Sequence, residues 1–226
     1  KKFGLDYFTL SQDNPRLVYC SVTGFGQDGP RAHKAGYDFM IQGMTGIMDI
    51  TGEPDGMPQK VGVAFADVFT GLYGVIGIQA ALAQRGRTGR GQHVDMALFD
   101  CMLAAQANQN LNYLTTGTSP KRMGNAHPSI VPYQVFPVGN GHIVVACGNN
   151  RQFHNLARAL GRDDWIENPI FADNITRIAN RAEVVGQITT QLSQWAKLDI
   201  LPVLEAAGVP SGPINTIAEA LEDPQT

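Results

Sequence analysis

The sequence predicts an α/β layer in its first half and a smaller α+β domain in its second half. In the first half, an apolar β-rich stretch (16–24) and an alternating stretch (93–100) are separated by residues whose apolar positions recur at helical spacing. In the second half, two apolar stretches flank Gly139-Asn140-Gly141, a strong hairpin signal because glycine and asparagine accept positive φ. Helical patterns follow the hairpin.

The elements of the first half can be placed in order. The stretch 16–24 ends in glycine, which is typical of a buried strand that enters a loop. Phe39, Met40, Met44 and Ile47 predict a helix that ends at Gly52. We then expect a helix from Asp67 to about residue 83, a strand over 93–100 in which Val94, Met96 and Leu98 alternate, and a helix over 101–117 closed by Gly117.

A change of composition separates the two halves. Residues 119–128 are rich in Pro, Gly, Lys, Arg and Asn and predict a linker between a large domain (1–118) and a small domain (129–226). The small domain begins with the hairpin of "YQVFPV" and "HIVVACG". Its predicted helices cover 153–160, 184–195 and 200–207, the last stopped by Gly208 and Pro210.

Composition excludes several classes of protein. The 226 residues carry 16% charged residues and a net charge of −3, which argues against a nucleic-acid partner. The longest candidate membrane segment, 61–83, is interrupted by Asp67, Thr70, Gln79 and three glycines, so we expect a packed helix and no membrane partner. Three widely spaced cysteines predict neither disulfides nor zinc and favour a reducing compartment. The chain starts without Met or a signal peptide, so we expect a piece of a longer protein.

Asp67 is the candidate reactive residue, in the apolar stretch "FADVFTGLYG" (65–74). One interpretation makes it a helix N-cap that holds free backbone amides. The other makes it a nucleophile that attacks an activated acyl group. Gly71, Gly74 and Gly77 follow on one helical face, where they allow close approach of either another backbone or a ligand. No GxSxG, Cys-His or HExxH pattern offers a rival nucleophile.

Other polar groups have simpler interpretations. Arg85, Arg87 and Arg90 resemble a phosphate loop only superficially, and we expect them at a helix C-terminus, where cations are favourable. The five histidines lack metal-ligand spacing, so no metal site is predicted.

Several sequence blocks taken in order resemble the family III CoA-transferases, the group that contains formyl-CoA transferase and carnitine CoA-transferase. The blocks include "NPRLVYCSVTGFGQDGP", "AGYDFMIQGMTGIMDITG", "ADVFTGLYG", "AALAQRGRTGRGQHVDMALFD" and "GNAHPSIVPYQVFPVGNGHIVVACGNNRQF". The resemblance implies the central portion of a longer chain, with part of a Rossmann-like large domain followed by the small α+β domain. It also implies an interlocked homodimer whose active site lies where domains of the two subunits meet.

The resemblance assigns the family's nucleophilic aspartate to Asp67. It implies that Asp67 attacks an acyl-CoA to give a mixed anhydride, that the released CoA thiolate converts this to an aspartyl-CoA thioester, and that an incoming carboxylic acid then takes the CoA. Coenzyme A is then a substrate, and no metal or other cofactor is expected.

Two alternatives remain open. The α-methylacyl-CoA racemases share the fold and the aspartate, but they carry a histidine where this chain has Tyr37, and a tyrosine with a pKa of about 10 is a poor base at neutral pH. The resemblance places Tyr37 in the substrate site of a transferase. The second alternative is a catalytically inactive fragment or binding module.

The resemblance also suggests the substrate. Formyl-CoA transferase has a run of glycines where this chain has "GNAHPSIVPYQ". The sequence here resembles the branch of the family that uses dicarboxylates with succinyl-CoA as donor. His127 and Ser129 are therefore candidates to bind a distal carboxylate by charge-assisted hydrogen bonds. Lys34 and Gly36 join Tyr37 as candidate substrate- or CoA-binding residues. The expected location is the cytoplasm of a bacterium, or the mitochondrial or peroxisomal matrix of a eukaryote.

Overall fold

The computed structural model describes residues 2–226 and divides after Gly124 into two compact units. The division falls within the stretch 119–128. The first unit extends to Gly124, and the second is Asn125–Thr226.

The first unit combines helices with a short parallel sheet. Its elements in chain order are α1 (Tyr7–Asp13), β1 (Tyr19–Thr23), α2 (Asp38–Met44), α3 (Phe65–Thr88), β2 (His93–Ala97), α4 (Leu98–Ala105) and α5 (Asn108–Thr116). Strands β1 and β2 pair in parallel, with Tyr19 opposite His93 and Thr23 opposite Ala97. The mixed α/β character predicted for this half is confirmed.

Three predicted helix boundaries in the first unit are wrong. Helix α2 ends at Met44, because the chain turns at Gly46, where φ is +90°. Helix α3 continues past residue 83 to Thr88 and stops only at Gly89, whose φ of +74° is left-handed. The helix expected over 101–117 is two helices, since Ala107 has a φ of +41° and breaks the hydrogen-bond ladder.

The glycine face of α3 packs against β2 over part of its length. A Cβ at Gly77 would lie 2.8 Å from Val94 Cγ1, and one at Gly74 would lie 3.9 Å from Met96 Cγ. A Cβ at Gly71 would meet nothing within 4 Å. Close packing on the sheet therefore explains Gly77, whereas Gly71 leaves open space near the start of the helix.

The second unit is an α+β structure. Its elements in chain order are β3 (Tyr133–Val138), β4 (Gly141–Ala146), α6 (Asn150–Ala159), α7 (Asp164–Glu167), a 3-10 turn (Pro169–Phe171), α8 (Asn174–Ala179), α9 (Arg181–Leu192), α10 (Lys197–Ala206), β5 (Ser211–Pro213) and α11 (Ile217–Leu221). The sheet order is β3-β4-β5, and both pairs are antiparallel. The hairpin at Gly139 and Asn140 is confirmed.

The core of the second unit gathers around stacked aromatic rings. The rings of Phe153 and Phe171 lie 5.5 Å apart, and those of Trp165 and Phe171 lie 5.2 Å apart. Cys147 lies in the same core, and burial raises the pKa of its thiol to about 12. This cysteine therefore acts as a small apolar side chain.

Helix α3 is capped from another segment. Its N-cap residue is Ala64, which offers no side-chain oxygen, and Asp67 is the third residue of the helix. Asp38 Oδ1 instead accepts a hydrogen bond of 2.9 Å from the backbone N–H of Ala66. The interpretation of Asp67 as the N-cap is therefore wrong, because a carboxylate on α2 performs that role.

Helix α3 is also relevant to the membrane prediction. Among the residues that the structure describes, it alone is long and apolar enough to cross a membrane by length and composition, and 22% of its most apolar 18 residues lie buried. One such helix is weak evidence for a membrane span, because core helices of water-soluble proteins can pass the same test. The absence of a membrane partner stays a prediction.

The capping assignment predicts different costs for the two aspartates. Asp38→Ala leaves the buried Ala66 N–H without a partner, so we expect the free energy of unfolding of the full-length protein to fall by about 1 to 3 kcal/mol in a urea titration. Asp67→Ala loses only a favourable first-turn charge, so we expect a change below about 1 kcal/mol. Equal losses for the two variants would contradict the assignment.

Candidate active site

The candidate site in the first unit is built around the first turn of α3. The Asp67 side chain is exposed, and its carboxylate forms no hydrogen bond or ion pair with any of residues 2–226. The Asp67 backbone N–H is also unpaired among these residues, whereas the neighbouring Ala66 N–H is held by Asp38. The positive end of a helix favours a negative charge at this position. Asp67 therefore presents an unengaged carboxylate beside an unengaged amide.

A hydrogen-bond network holds this turn in place. Asp38 Oδ2 accepts a bond of 2.9 Å from Gln42 Nε2, and the fully buried Gln42 also bonds to the chain that leads into α3. Its Oε1 accepts from Val61 N–H at 2.9 Å, and its Nε2 donates to the Val63 carbonyl at 3.3 Å. One buried side chain thus fixes both the capping carboxylate and the segment before Asp67.

Gly36 and Tyr37 lie at the start of α2, beside this network. The backbones of Gly24 and Gly36 pass so closely that a Cβ on Gly36 would lie 2.6 Å from the Gly24 Cα, so only glycine fits. Tyr37 follows and is 73% exposed. Because the next residue, Asp38, bonds to Ala66, the structure brings Gly36, Tyr37 and Asp67 into one neighbourhood.

Lys34 lies in the turn that precedes Gly36. Its backbone N–H donates to the Arg31 carbonyl at 2.9 Å, and its exposed ammonium group has no hydrogen-bond or ion-pair partner among residues 2–226. It is available to an anionic group, but nothing in the first unit aims it at one.

His127 and Ser129 belong to the second unit. The Ser129 backbone N–H donates to His127 Nδ1 at 3.1 Å, and the His127 ring lies 5.1 Å from the Tyr133 ring. Because Nδ1 accepts this bond, Nε2 is the ring nitrogen left to donate to a ligand. A bond from Nε2–H to an ionised carboxylate would be charge-assisted through its acceptor, so the bond predicted from sequence stays a prediction. The Ser129 side chain is exposed.

Sequence reasoning did not find the residues that position these groups. Asp38 and Gln42 are separated from Asp67 along the chain, and only the Asp of "GYDF" offered a signal. Arg181 and Asn174, which contact residues 127–131, had no signal. Side chains that bond to distant backbone leave no periodic pattern.

The arrangement can support chemistry through a carboxylate. An exposed carboxylate in the first turn of a helix can act as a nucleophile or as a base. Among the residues that the structure describes, no three His, Cys, Asp or Glu side chains are grouped to hold a metal ion.

Comparison with known proteins identifies the family. The sequence model of CoA-transferase family III matches residues 1–226. The chain is 52% identical over 224 residues to a succinate–glutarate CoA-transferase of Agrobacterium fabrum. The alignment covers 99% of this chain and 56% of that protein. It is 39% identical over 226 residues to an acetyl-CoA:oxalate CoA-transferase of Acetobacter aceti, covering 100% of this chain and 58% of that protein.

A solved structure gives the same result. A CaiB/BaiF family protein from Brucella suis superimposes with a TM-score of 0.84 at 58% identity, over 99% of this chain and 59% of that one. The chain therefore spans a little more than half the length of the relatives it matches. With the family model matched along the whole sequence, this chain belongs to the family III CoA-transferases.

Proposed function

We propose that the full-length protein transfers CoA from a donor such as succinyl-CoA to a dicarboxylic acid such as glutarate, with Asp67 as the nucleophile. The observation that carries the proposal is the exposed Asp67 carboxylate in the first turn of α3. It does not cap the helix, because Asp38 accepts the hydrogen bond from the Ala66 N–H. A carboxylate that bonded to its own helix would have to give up those bonds before it could attack.

The reaction proceeds by four acyl transfers. An Asp67 oxygen attacks the donor thioester carbon, which forms a mixed anhydride and expels the CoA thiolate. The thiolate attacks the aspartyl carbon of the anhydride, which gives an aspartyl-CoA thioester and releases the donor acid. The acceptor carboxylate attacks that thioester to form a second anhydride and expel the thiolate again. The thiolate then attacks the acceptor carbon, which yields the new acyl-CoA and restores Asp67.

Groups near Asp67 suit these steps. Each attack places negative charge on a carbonyl oxygen, which a free backbone N–H can stabilise. The unpaired Asp67 N–H and the helix end are such groups. Gly71 lies one turn further along α3 and adds no side chain to the space beside the carboxylate. Tyr37 supports the transferase over the racemase, since a racemase needs a second base.

The choice of a dicarboxylic acid rests on the relatives and on His127 and Ser129. The Agrobacterium relative is named for succinate and glutarate, and the Acetobacter relative for oxalate. We propose that His127 Nε2–H and the Ser129 hydroxyl bind the distal carboxylate. Lys34 is assigned to a CoA phosphate because its ammonium group is exposed and unpaired among the described residues.

The remaining expectations are part of the proposal. The protein acts as a homodimer, with CoA as a substrate and no other cofactor. Exposed apolar side chains on α3 support association of this chain with further protein. Four of them are 46–62% exposed: Val68, Leu72, Val75 and Ile76. The free cysteines fit a reducing compartment, either bacterial cytoplasm or an organelle matrix.

Asp67→Asn should reduce the rate of glutarate-dependent CoA transfer from succinyl-CoA by at least about a thousandfold, because the amide cannot form the anhydride. The control is Asp100→Asn. Asp100 is also an exposed third residue of a helix whose N-cap is an alanine, and it should retain full turnover. The measurement is steady-state formation of glutaryl-CoA by the full-length enzyme.

The same assay separates the alternatives. Transfer that survives Asp67→Asn would overturn the nucleophile assignment. Loss of configuration at the α-carbon of a branched acyl-CoA, without transfer to glutarate or oxalate, would indicate a racemase. Neither activity in the full-length protein would indicate a binding module.

Removal of the proposed carboxylate ligands should reduce dicarboxylate preference. We expect His127→Gln and Ser129→Ala each to lower kcat/KM for glutarate about five- to tenfold, the effect of one hydrogen bond, with little change for valerate, a monocarboxylate of equal length. His142→Gln, an exposed histidine of the same unit, is the control. Equal losses for both acids would remove these residues from the distal site.

A further inference from the structure

We propose that Asn174, Arg177 and Arg181 are positioning residues that clamp the backbone of residues 127–131 and so set the placement of His127 and Ser129. This inference rests on the proposed role of those two residues in binding the distal carboxylate. The three clamp residues approach the loop from α8 and the start of α9, and none of them is assigned to substrate.

Arg181 holds the first part of the loop. Its Nη2 donates to the carbonyl of His127 at 3.0 Å and to the carbonyl of Pro128 at 3.1 Å. One guanidinium nitrogen therefore bridges two consecutive carbonyls. Such a contact fixes the backbone that carries the imidazole rather than the imidazole itself.

Asn174 and Arg177 hold the second part. Asn174 Nδ2 donates to the Ser129 carbonyl at 2.8 Å, and its Oδ1 accepts from the Val131 N–H at 3.1 Å. Arg177 Nε donates to the Val131 carbonyl at 2.7 Å. With Arg181, the clamp engages four of the five carbonyls between residues 127 and 131.

The guanidinium groups of the clamp donate mainly to backbone carbonyls. Arg177 is fully buried, donates also to the Phe171 carbonyl and to Asn150, and lies 4.6 Å from the Phe153 ring. Neither Arg177 nor Arg181 pairs with a carboxylate within 4.0 Å among residues 2–226. Burial lowers the pKa of both guanidinium groups, so their placement costs free energy that apolar side chains would avoid. Charged donors to carbonyls offset that cost and give strong, directional restraint.

The clamp has a consequence for recognition. A fixed loop keeps the Ser129 N–H on His127 Nδ1, which leaves Nε2 free to donate to a carboxylate. If the loop loosened, that bond would break, and the ring could turn or change tautomer. The clamp therefore acts on the preference for a second carboxylate and not on the chemistry at Asp67.

The test compares acids of equal length on full-length enzyme. We expect Arg181→Met and Asn174→Asp to lower the ratio of kcat/KM for glutarate to kcat/KM for valerate about five- to tenfold, with kcat for valerate unchanged. Asn174→Asp keeps the acceptor for Val131 and removes the donor to Ser129. It also adds a negative charge, and the hydrogen-exchange readout separates the effect of that charge from loss of the clamp. Arg181→Lys should recover part of the ratio because it retains a donor. The control is Arg162→Met, which removes a half-buried guanidinium of the same unit that pairs with Asp164 and lies 4.6 Å from the Trp165 ring.

Hydrogen exchange gives a second readout. Peptides that contain residues 127–131 should exchange faster in Arg181→Met and Asn174→Asp than in Arg162→Met. Unchanged exchange in that loop would overturn the clamp. Faster exchange with an unchanged glutarate preference would overturn the positioning role, provided that His127→Gln lowers the preference. If His127→Gln and Ser129→Ala leave the preference intact, the distal-site part of the proposed function fails, and this inference fails with it while the nucleophile assignment stands.

Discussion

The hydrogen bond from the Ala66 N–H to Asp38 Oδ1 is the constraint on which the candidate site depends. A helix must satisfy the first amides it exposes, and a carboxylate near its start commonly does so. In this protein the carboxylate comes from α2, where the buried Gln42 orients it. The helix's own aspartate, Asp67, keeps both oxygens unbonded within the described chain. One aspartate thus stabilises the fold, and the other is the residue that we propose as the nucleophile.

The two units hold their candidate site residues in place by different kinds of contact. In the first, close contact between Gly24 and Gly36 places the start of α2, and the packing of Gly77 on β2 places α3. In the second, guanidinium and amide groups of α8 and α9 hold a loop by its backbone. The first arrangement positions α3, which carries the proposed nucleophile, through close packing at glycines. The second restrains, through directional hydrogen bonds, the loop that we propose to bind the distal carboxylate, and it does so at the cost of burying charge.

The sequence predicted those elements that are determined by residues close together in the chain. The hairpin at Gly139 and Asn140, strand β1 and the existence of α3 all follow from periodicity and turn residues. The break at Ala107 does not, because alanine carries no signal for positive φ. Strand β5 was also missed, because Gly212 and Pro213 have little strand propensity and the pairing with β4 makes the strand. For the site, Asp67 could be found from its unusual place in an apolar run. Asp38, which caps the helix in place of Asp67, could not be found in this way. That relation joins positions 38 and 66, and it exists only once the chain has folded.

Covalent trapping tests the central claim most directly. Full-length enzyme incubated with succinyl-CoA and then with hydroxylamine should form an aspartyl hydroxamate, because both the anhydride and the thioester are activated acyl groups. We expect peptide mass spectrometry to place the hydroxamate on Asp67, and to find none at Asp38 or Asp100. Active enzyme that shows no modification of Asp67, or that is modified at a different carboxylate, would contradict the account.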